Sequence, residues 1–270
     1  MVDNFAYLLN QHGFIPNGNR GYYLGRSQPP FFSLMVKLLS EHLGENIFMK
    51  YTPAMVKEYT FWMNGLKQIN EENRTVERMV SIDGGDVLNR YWDAFDTPRP
   101  ESYREDVELA LTSMQPSPQL YRNVRAAAES GWDFSSRWFD DRTGFASICT
   151  TDIIPIDLNC LLWHLETTLE TASRKSNRDD AAERMAQVAG KRRLSILRYC
   201  WDETDGFFFD YNFKKQQRTN HRPLAAMFPL FFKIATQEQA DSVTEIIRHD
   251  FLKPGGLTTT LLDTGQQWDA

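Results

Sequence analysis

Apolar positions along the chain recur mostly with the 3.6-residue period of a helix. Between residues 31 and 43 they fall at Phe31, Leu34 and Met35, Leu38 and Leu39, and Leu43, which makes one stripe. A second stripe carries Met55, Tyr59, Trp62 with Met63, and Leu66. Thr52 and Pro53 predict its start, the threonine as N-cap and the proline at the first helical position. Asp157 reads as the cap of a third, striped by Leu158, Leu161 with Leu162, Leu165, Leu169 and Ala172. Asp179 and Asp180 open a fourth, with Ala182, Met185, Ala189, Ile196 and Cys200 on its apolar face. Further helices are predicted near 2–12, 104–115, 119–130, 222–235 and 237–252, about nine in all. Long polar stretches rich in Gly, Pro and Asp separate them at 13–30, 81–102, 131–155 and 253–270. Strand alternation is nearly absent, and only 207–211 reads as a short strand or hairpin. The predicted fold class is therefore all-α. Helices alternating with long, aromatic-rich loops predict an α-toroid with its site in the loops at one end. A closed toroid of six helical hairpins needs twelve helices, so the pattern predicts an incomplete ring.

One loop concentrates the chemistry. Ser130-Gly131-Trp132-Asp133-Phe134-Ser135-Ser136-Arg137-Trp138-Phe139 places a carboxylate and a guanidinium among four aromatics, directly after a small-residue helix end. Aromatic walls partly desolvate a carboxylate, and desolvation favours the protonated form that a general acid needs. Aromatic faces beside a hydrogen-bonding carboxylate also suit a sugar, whose ring has an apolar face and a polar rim. Four of the seven tryptophans precede an aspartate, at Trp92-Asp93, Trp132-Asp133, Trp201-Asp202 and Trp268-Asp269. Their uneven spacing and helical surroundings exclude a propeller repeat. A core Trp followed by a capping Asp is the structural alternative for each pair. For Trp201-Asp202, whose Asp-Glu-Thr-Asp-Gly continuation reads as a turn, that alternative stands level with function.

Composition narrows the function classes. The chain has 270 residues, a net charge of −6 and no long basic run, which argues against nucleic acid or an anionic membrane as partner. Cys149, Cys160 and Cys200 fall in no C-x-x-C arrangement and read as core residues of a reduced compartment. No apolar run reaches the length of a membrane span. The acidic balance and unpaired cysteines point to the cytoplasm. The histidines are scattered singly, and His164, inside an apolar helix, reads as a satisfied core residue rather than a metal ligand. Neither the 253–256 turn nor Gly84-Gly85 follows a strand with phosphate-loop spacing, and no H-E-x-x-H, G-x-S-x-G or calcium-loop pattern is present.

Two further loops offer sugar-binding groups. Asn17, Arg26, Ser27 and Gln28 combine amides, a hydroxyl and a planar donor fork suited to vicinal hydroxyls. An Asn-Gly turn with solvated arginines is the alternative. Thr97-Pro98-Arg99-Pro100-Glu101 places Arg99 and Glu101 two residues apart between prolines, so an extended backbone would turn both side chains the same way. A salt-bridged surface loop is the alternative there.

Together, residues 17–30, 98–101, 130–138 and 266–269 resemble the trehalases, inverting glycoside hydrolases that split trehalose into two glucoses. The likeness runs through 15–20, 26–30, 91–93 and 254–257 as well, and the opening Asn4-Phe5-Ala6-Tyr7-Leu8-Leu9 is most similar to the bacterial cytoplasmic branch. The resemblance implies an (α/α)6 toroid, with residues 1–270 as part of one catalytic domain. It implies Asp133 as general acid and Asn17, Arg26, Ser27, Gln28, Arg99, Glu101 and Gly131 as substrate-binding positions. Trp268 opens a second family signature, and Trp132 with Trp268 would form an aromatic wall. The partner is a disaccharide, trehalose, and neither a metal nor an organic cofactor is implied.

Two family elements have no counterpart in these residues. One is a Gly-Gly-Arg segment expected upstream of Met1. The other is the general base, a Glu expected beyond residue 270; Glu101 matches a binding position instead. Loss of a base removes about 10²–10⁴-fold in rate, so the 270 residues by themselves are expected to be a fragment of little or no activity. A sugar-binding remnant without catalysis and a related toroid glycosidase acting on another α-glucoside are the competing readings.

Overall fold

The computed structural model describes residues 1–82, 85–140 and 144–269. Gly84 lies outside the described residues, so the Gly84-Gly85 pair has no structural account. Among them are nine α-helices: α1 (Val2–His12), α2 (Phe32–Leu43), α3 (Asn46–Trp62), α4 (Tyr103–Thr112), α5 (Ser117–Ser130), α6 (Ile156–Lys175), α7 (Asp179–Cys200), α8 (Phe228–Phe231) and α9 (Gln237–Ile246). The chain divides into two compact units. The first comprises Met1–Asn89 with Leu158–Ser195, and the second Arg90–Asp157 with Ile196–Ala270.

In the first unit α1, α2 and α3 pack against one another. The buried face of α2 is Phe32, Ser33 and Val36, while Phe31, Leu38 and Leu43 are exposed, so the face is turned away from the predicted stripe. Thr52 and Pro53 do not begin a helix. Helix α3 starts at Asn46 and runs through Pro53, and the Thr52 hydroxyl donates to Phe48 O at 2.7 Å inside it. Phe48 and Tyr51 are buried, and packing of this extra turn outweighs the lost Pro53 amide. Helix α6 has Leu158, Leu161, Leu162, Leu165 and Leu169 buried, as its period predicts. His164 is buried too, with Nδ1 2.9 Å from the Ser33 hydroxyl. Arg192 of α7 ties the unit together, donating to Glu166 (2.9 Å), Asn89 (3.0 Å) and Asn159 (2.9 Å). A small antiparallel meander completes it: β1 (Thr75–Val76), β2 (Met79–Ser81) and β3 (Val87–Asn89), with Val80 opposite Thr75 and Leu88.

In the second unit short strands take up more chain than the alternation predicts. β4 (Ile153–Ile154), β7 (Tyr211–Asn212) and β8 (Gln217–Arg218) form one antiparallel sheet in the order β4-β7-β8. β5 (Trp201–Asp202) pairs with β6 (Phe207–Phe208) around a turn in which Asp202 Oδ1 accepts the Thr204 and Asp205 amides, so the turn reading of Trp201-Asp202 holds. β9 (Leu252–Lys253) and β10 (Gly256–Leu257) form a hairpin across Pro254-Gly255. Strands of two or three residues are too short for a period of two to register. The helix predicted over 222–235 is reduced to a 3₁₀ turn, Leu224–Met227, and the four residues of α8. Asp157 is not the cap of α6. Its carboxylate binds Arg137, and the Ile156 amide donates instead to Asp210 Oδ1 at 2.9 Å.

Candidate active site

The first unit presents the loop between α1 and α2. Its two arms are clipped together by Asn17 N–H to Arg26 O (3.1 Å) and Gln28 N–H to Ile15 O (2.7 Å), with Pro16 opposite Ser27 in an isolated bridge. The 3₁₀ turn Gly21–Gly25 joins the arms, and Tyr23 folds back onto Gly18. A Cβ on Gly18 would stand 2.5 Å from that ring, so a larger residue would open the loop. Arg26 Nε donates to Asn17 Oδ1 at 3.0 Å, and its buried guanidinium lies over the Tyr23 ring at 5.1 Å. Gln28 Nε2 donates to Asn17 O at 2.8 Å. The loop thus brings Asn17, Arg26 and Gln28 into one hydrogen-bonded group. Ser27 is fully buried, its hydroxyl within reach of Ile15 O and Gln28 O, so its side chain holds the arms. A cavity of about 420 Å³ adjoins the group, and its lining includes Asn17, Asn19 and Gln28 together with Phe5, Leu8 and Phe32.

In the second unit α5 organises two loops. Near its middle, buried Arg125 donates to Asp93 Oδ2 (3.0 Å), Thr97 O (2.6 Å) and Pro98 O (3.2 Å), which fixes the loop leading to Arg99. Glu129 accepts the Trp92 amide at 2.8 Å. Arg99 is buried against Asp106, with Nη2–Oδ1 at 2.7 Å and the Arg99 amide on Oδ2 at 2.7 Å. Glu101 does not share its direction. Residues Pro100–Ser102 form a 3₁₀ turn rather than an extended segment, and Glu101 is exposed on it.

Helix α5 ends at Gly131, whose φ of 78° lies in the left-handed region that favours glycine. That reversal delivers the Asp133 loop. The Trp132 amide donates to Ser130 Oγ at 3.0 Å, and Trp132 O accepts the Trp138 indole at 2.7 Å. Trp138 is buried, edge-on to Tyr91, and so belongs to the core. Arg137, fully buried, lies over the Trp132 and Trp138 rings at 4.7 and 4.4 Å and donates to both Asp157 and Asp210. Burial alone would push this guanidinium down; the two carboxylates outweigh it and hold the charge. The arginine of the aromatic cluster is therefore an internal anchor.

Asp133 itself is half-buried, and Trp268 Nε1 donates to its Oδ1 at 3.3 Å. The Trp268 amide donates to Phe134 O at 2.8 Å. Arg99 lies over the Phe134 ring at 5.6 Å. The second unit thus gathers Asp133, Trp132, Trp268, Gly131 and Arg99 around one loop. A cavity of about 610 Å³ in this unit is lined by residues that include Arg218, His221, Arg222, Thr260 and Leu262, and by none of the five just named. Among the described residues no group of three or more His, Cys, Asp or Glu side chains is placed to hold a metal ion. Sequence pattern gives no signal for Arg125 or Asp106, because each acts through a partner on another element.

The family model for trehalases matches residues 1–270. The chain belongs to the trehalase family. It is 45% identical over 273 residues to the periplasmic trehalase of Citrobacter koseri, covering 100% of this chain and 47% of that protein. The periplasmic trehalase of Escherichia coli K12 is 43% identical over 271 residues, with 100% and 48% covered. The chain thus spans about half the length of the curated relatives it matches. Among solved structures, neutral trehalase from Saccharomyces cerevisiae superposes with a TM-score of 0.78 at 26% identity, covering 100% of this chain and 54% of that one. A mannosylglycerate hydrolase from Thermus thermophilus, at TM-score 0.54 and 12% identity, shares the fold alone. The fold class is the all-α class of the (α/α)6 toroid, as the loop-and-helix pattern predicts.

Proposed function

We propose that the whole protein hydrolyses α,α-trehalose to two glucoses with inversion, and that residues 1–270 form part of one catalytic domain. Asp133 donates its proton to the glycosidic oxygen as the anomeric C–O bond breaks. A second carboxylate, roughly 6.5–9.5 Å away, takes a proton from the water that attacks the opposite face. We assign that base to no residue of this chain. Asn17, Arg26, Gln28, Arg99 and Glu101 hold hydroxyls, Ser27 shapes its loop, Gly131 turns the chain into the acid loop, and Trp132 and Trp268 supply aromatic surface. The observation that carries the reading is the meeting of two distant family segments, 130–138 and 266–269, at the Asp133 carboxylate.

The test is glucose release by the full-length protein. Two glucoses per trehalose are expected, with maltose a poor substrate. Asp133→Asn should abolish turnover while trehalose still raises the melting temperature. Full activity in that variant would falsify the acid assignment. Equal rates on maltose would favour another α-glucosidase, and a trehalose-induced thermal shift without glucose release would favour a sugar-binding protein. Composition supports a cytoplasmic placement and the relatives' names a periplasmic one; fractionation of the source cell decides between them.

A further inference from the structure

The Asp269 carboxylate collects donors from two stretches of chain. Its Oδ1 accepts the Ser136 amide (2.9 Å), the Ser136 hydroxyl (2.8 Å) and the Thr260 hydroxyl (2.9 Å), with the Ser135 hydroxyl at 3.4 Å. Its Oδ2 accepts the Thr264 hydroxyl. The neighbouring Trp268 holds the other side of the same loop, through its amide on Phe134 O and its indole on Asp133 Oδ1. The acid loop is anchored at its start by the α5 terminus and at its end by buried Arg137 on Asp157 and Asp210. Between those anchors, residues 133–136 take their hydrogen bonds to distant chain from Trp268 and Asp269.

We propose that Asp269 is a positioning residue for the general acid: its carboxylate pins the Ser135-Ser136 turn and so fixes where the Asp133 carboxyl and the Trp268 indole stand. This rests on Asp133 being the acid. A carboxyl that must reach one oxygen in the transition state is sensitive to small displacement, whereas sugar hydroxyls bound by other loops are not. Loss of Asp269 therefore lowers kcat and leaves KM nearly unchanged. Because the Arg137 anchor is independent of Asp269, the core stays folded.

The experiment compares Asp269→Ala, Asp269→Asn and Asp133→Asn in the full-length protein, by steady-state kinetics on trehalose and by thermal melting. Asp269→Ala should lose about 10²-fold in kcat, the scale of a misplaced reacting group, with KM within about threefold. Asp269→Asn keeps an acceptor for the Ser136 amide and should recover about tenfold of that loss. Wild-type kcat in Asp269→Ala, with or without a lower melting temperature, overturns the proposal, as does a rise confined to KM. If the alanine variant does not fold, Asp269→Asn decides alone: a kcat about tenfold below wild type supports the clamp, and an unchanged kcat overturns it. Activity in Asp133→Asn would instead overturn the acid assignment on which the clamp depends.

Discussion

At the scale of single residues, the clearest consequence of burial is at Glu58. Its side chain is fully buried in α3, and among the described residues neither carboxylate oxygen has a hydrogen-bond partner. Burial pushes its carboxyl up to about 8. The folded state thus keeps a proton that the unfolded chain releases near its ordinary value of 4.5, so stability falls as pH rises from there to about 8 and then levels. His164 acts in the opposite sense. Burial, aided by Lys37, pushes its imidazole down to about 4, so its contribution is lost as pH falls from 6.5 toward 4. Above pH 6.5 the Glu58 effect is expected to dominate this pair. The melting temperature should decline between pH 6.5 and 8, and Glu58→Gln should flatten that slope; an equal slope in the variant would show that other groups set it. Gly131 gives a second expectation. A Cβ there meets nothing within 4 Å, so Gly131→Ala costs only the left-handed backbone, about 1 kcal/mol in urea denaturation. The end of α5 at Gly131 was legible, because a glycine directly after a small-residue helix end is a local signal. Glu58 was not, since nothing local distinguishes a buried glutamate from a solvated one on the same helix.

At the scale of elements, long amphipathic helices were the most legible feature. Helices α1, α6 and α7 lie where their periodicity puts them, because each side-chain stripe depends only on spacing along the chain. Ends were less legible. Thr52-Pro53 has the form of a helix start, yet Phe48 and Tyr51 bury a further turn before it. Asp157 has the form of a cap, yet Arg137 takes its carboxylate and Asp210 receives the Ile156 amide in its place. The connection from α5 to the Arg99 loop shows the same dependence on distant partners. Arg125→Met would leave Asp93 buried without its ion pair and remove the donor to Thr97 O and Pro98 O. A loss of about 3–5 kcal/mol is expected in denaturant unfolding. A change below about 1 kcal/mol would mean that the loop is fixed by other contacts.

At the scale of the whole molecule, substrate choice is the property to measure. The proposed hydrolysis of trehalose by the full-length protein predicts a rate at least about tenfold above that on maltose or sucrose at equal concentration, at the low end of what pocket contacts discriminate. A flat profile across the panel would shift the reading to a general α-glucosidase. The sequence by itself determined the all-α class, the division into helices and long loops, and the four segments that mark the family. These follow from local periodicity, from turn chemistry and from residue types held at fixed spacing. Only the tertiary structure decided which charges meet. It buried Arg137 between Asp157 and Asp210, committed Arg99 to Asp106, exposed Glu101 on a 3₁₀ turn, and set Trp268 and Asp269 against the loop of Asp133. The physical reason is range. A stripe or a turn is fixed by neighbours within a few residues, whereas Asp133 and Trp268 are 135 positions apart and meet only when the intervening chain has folded.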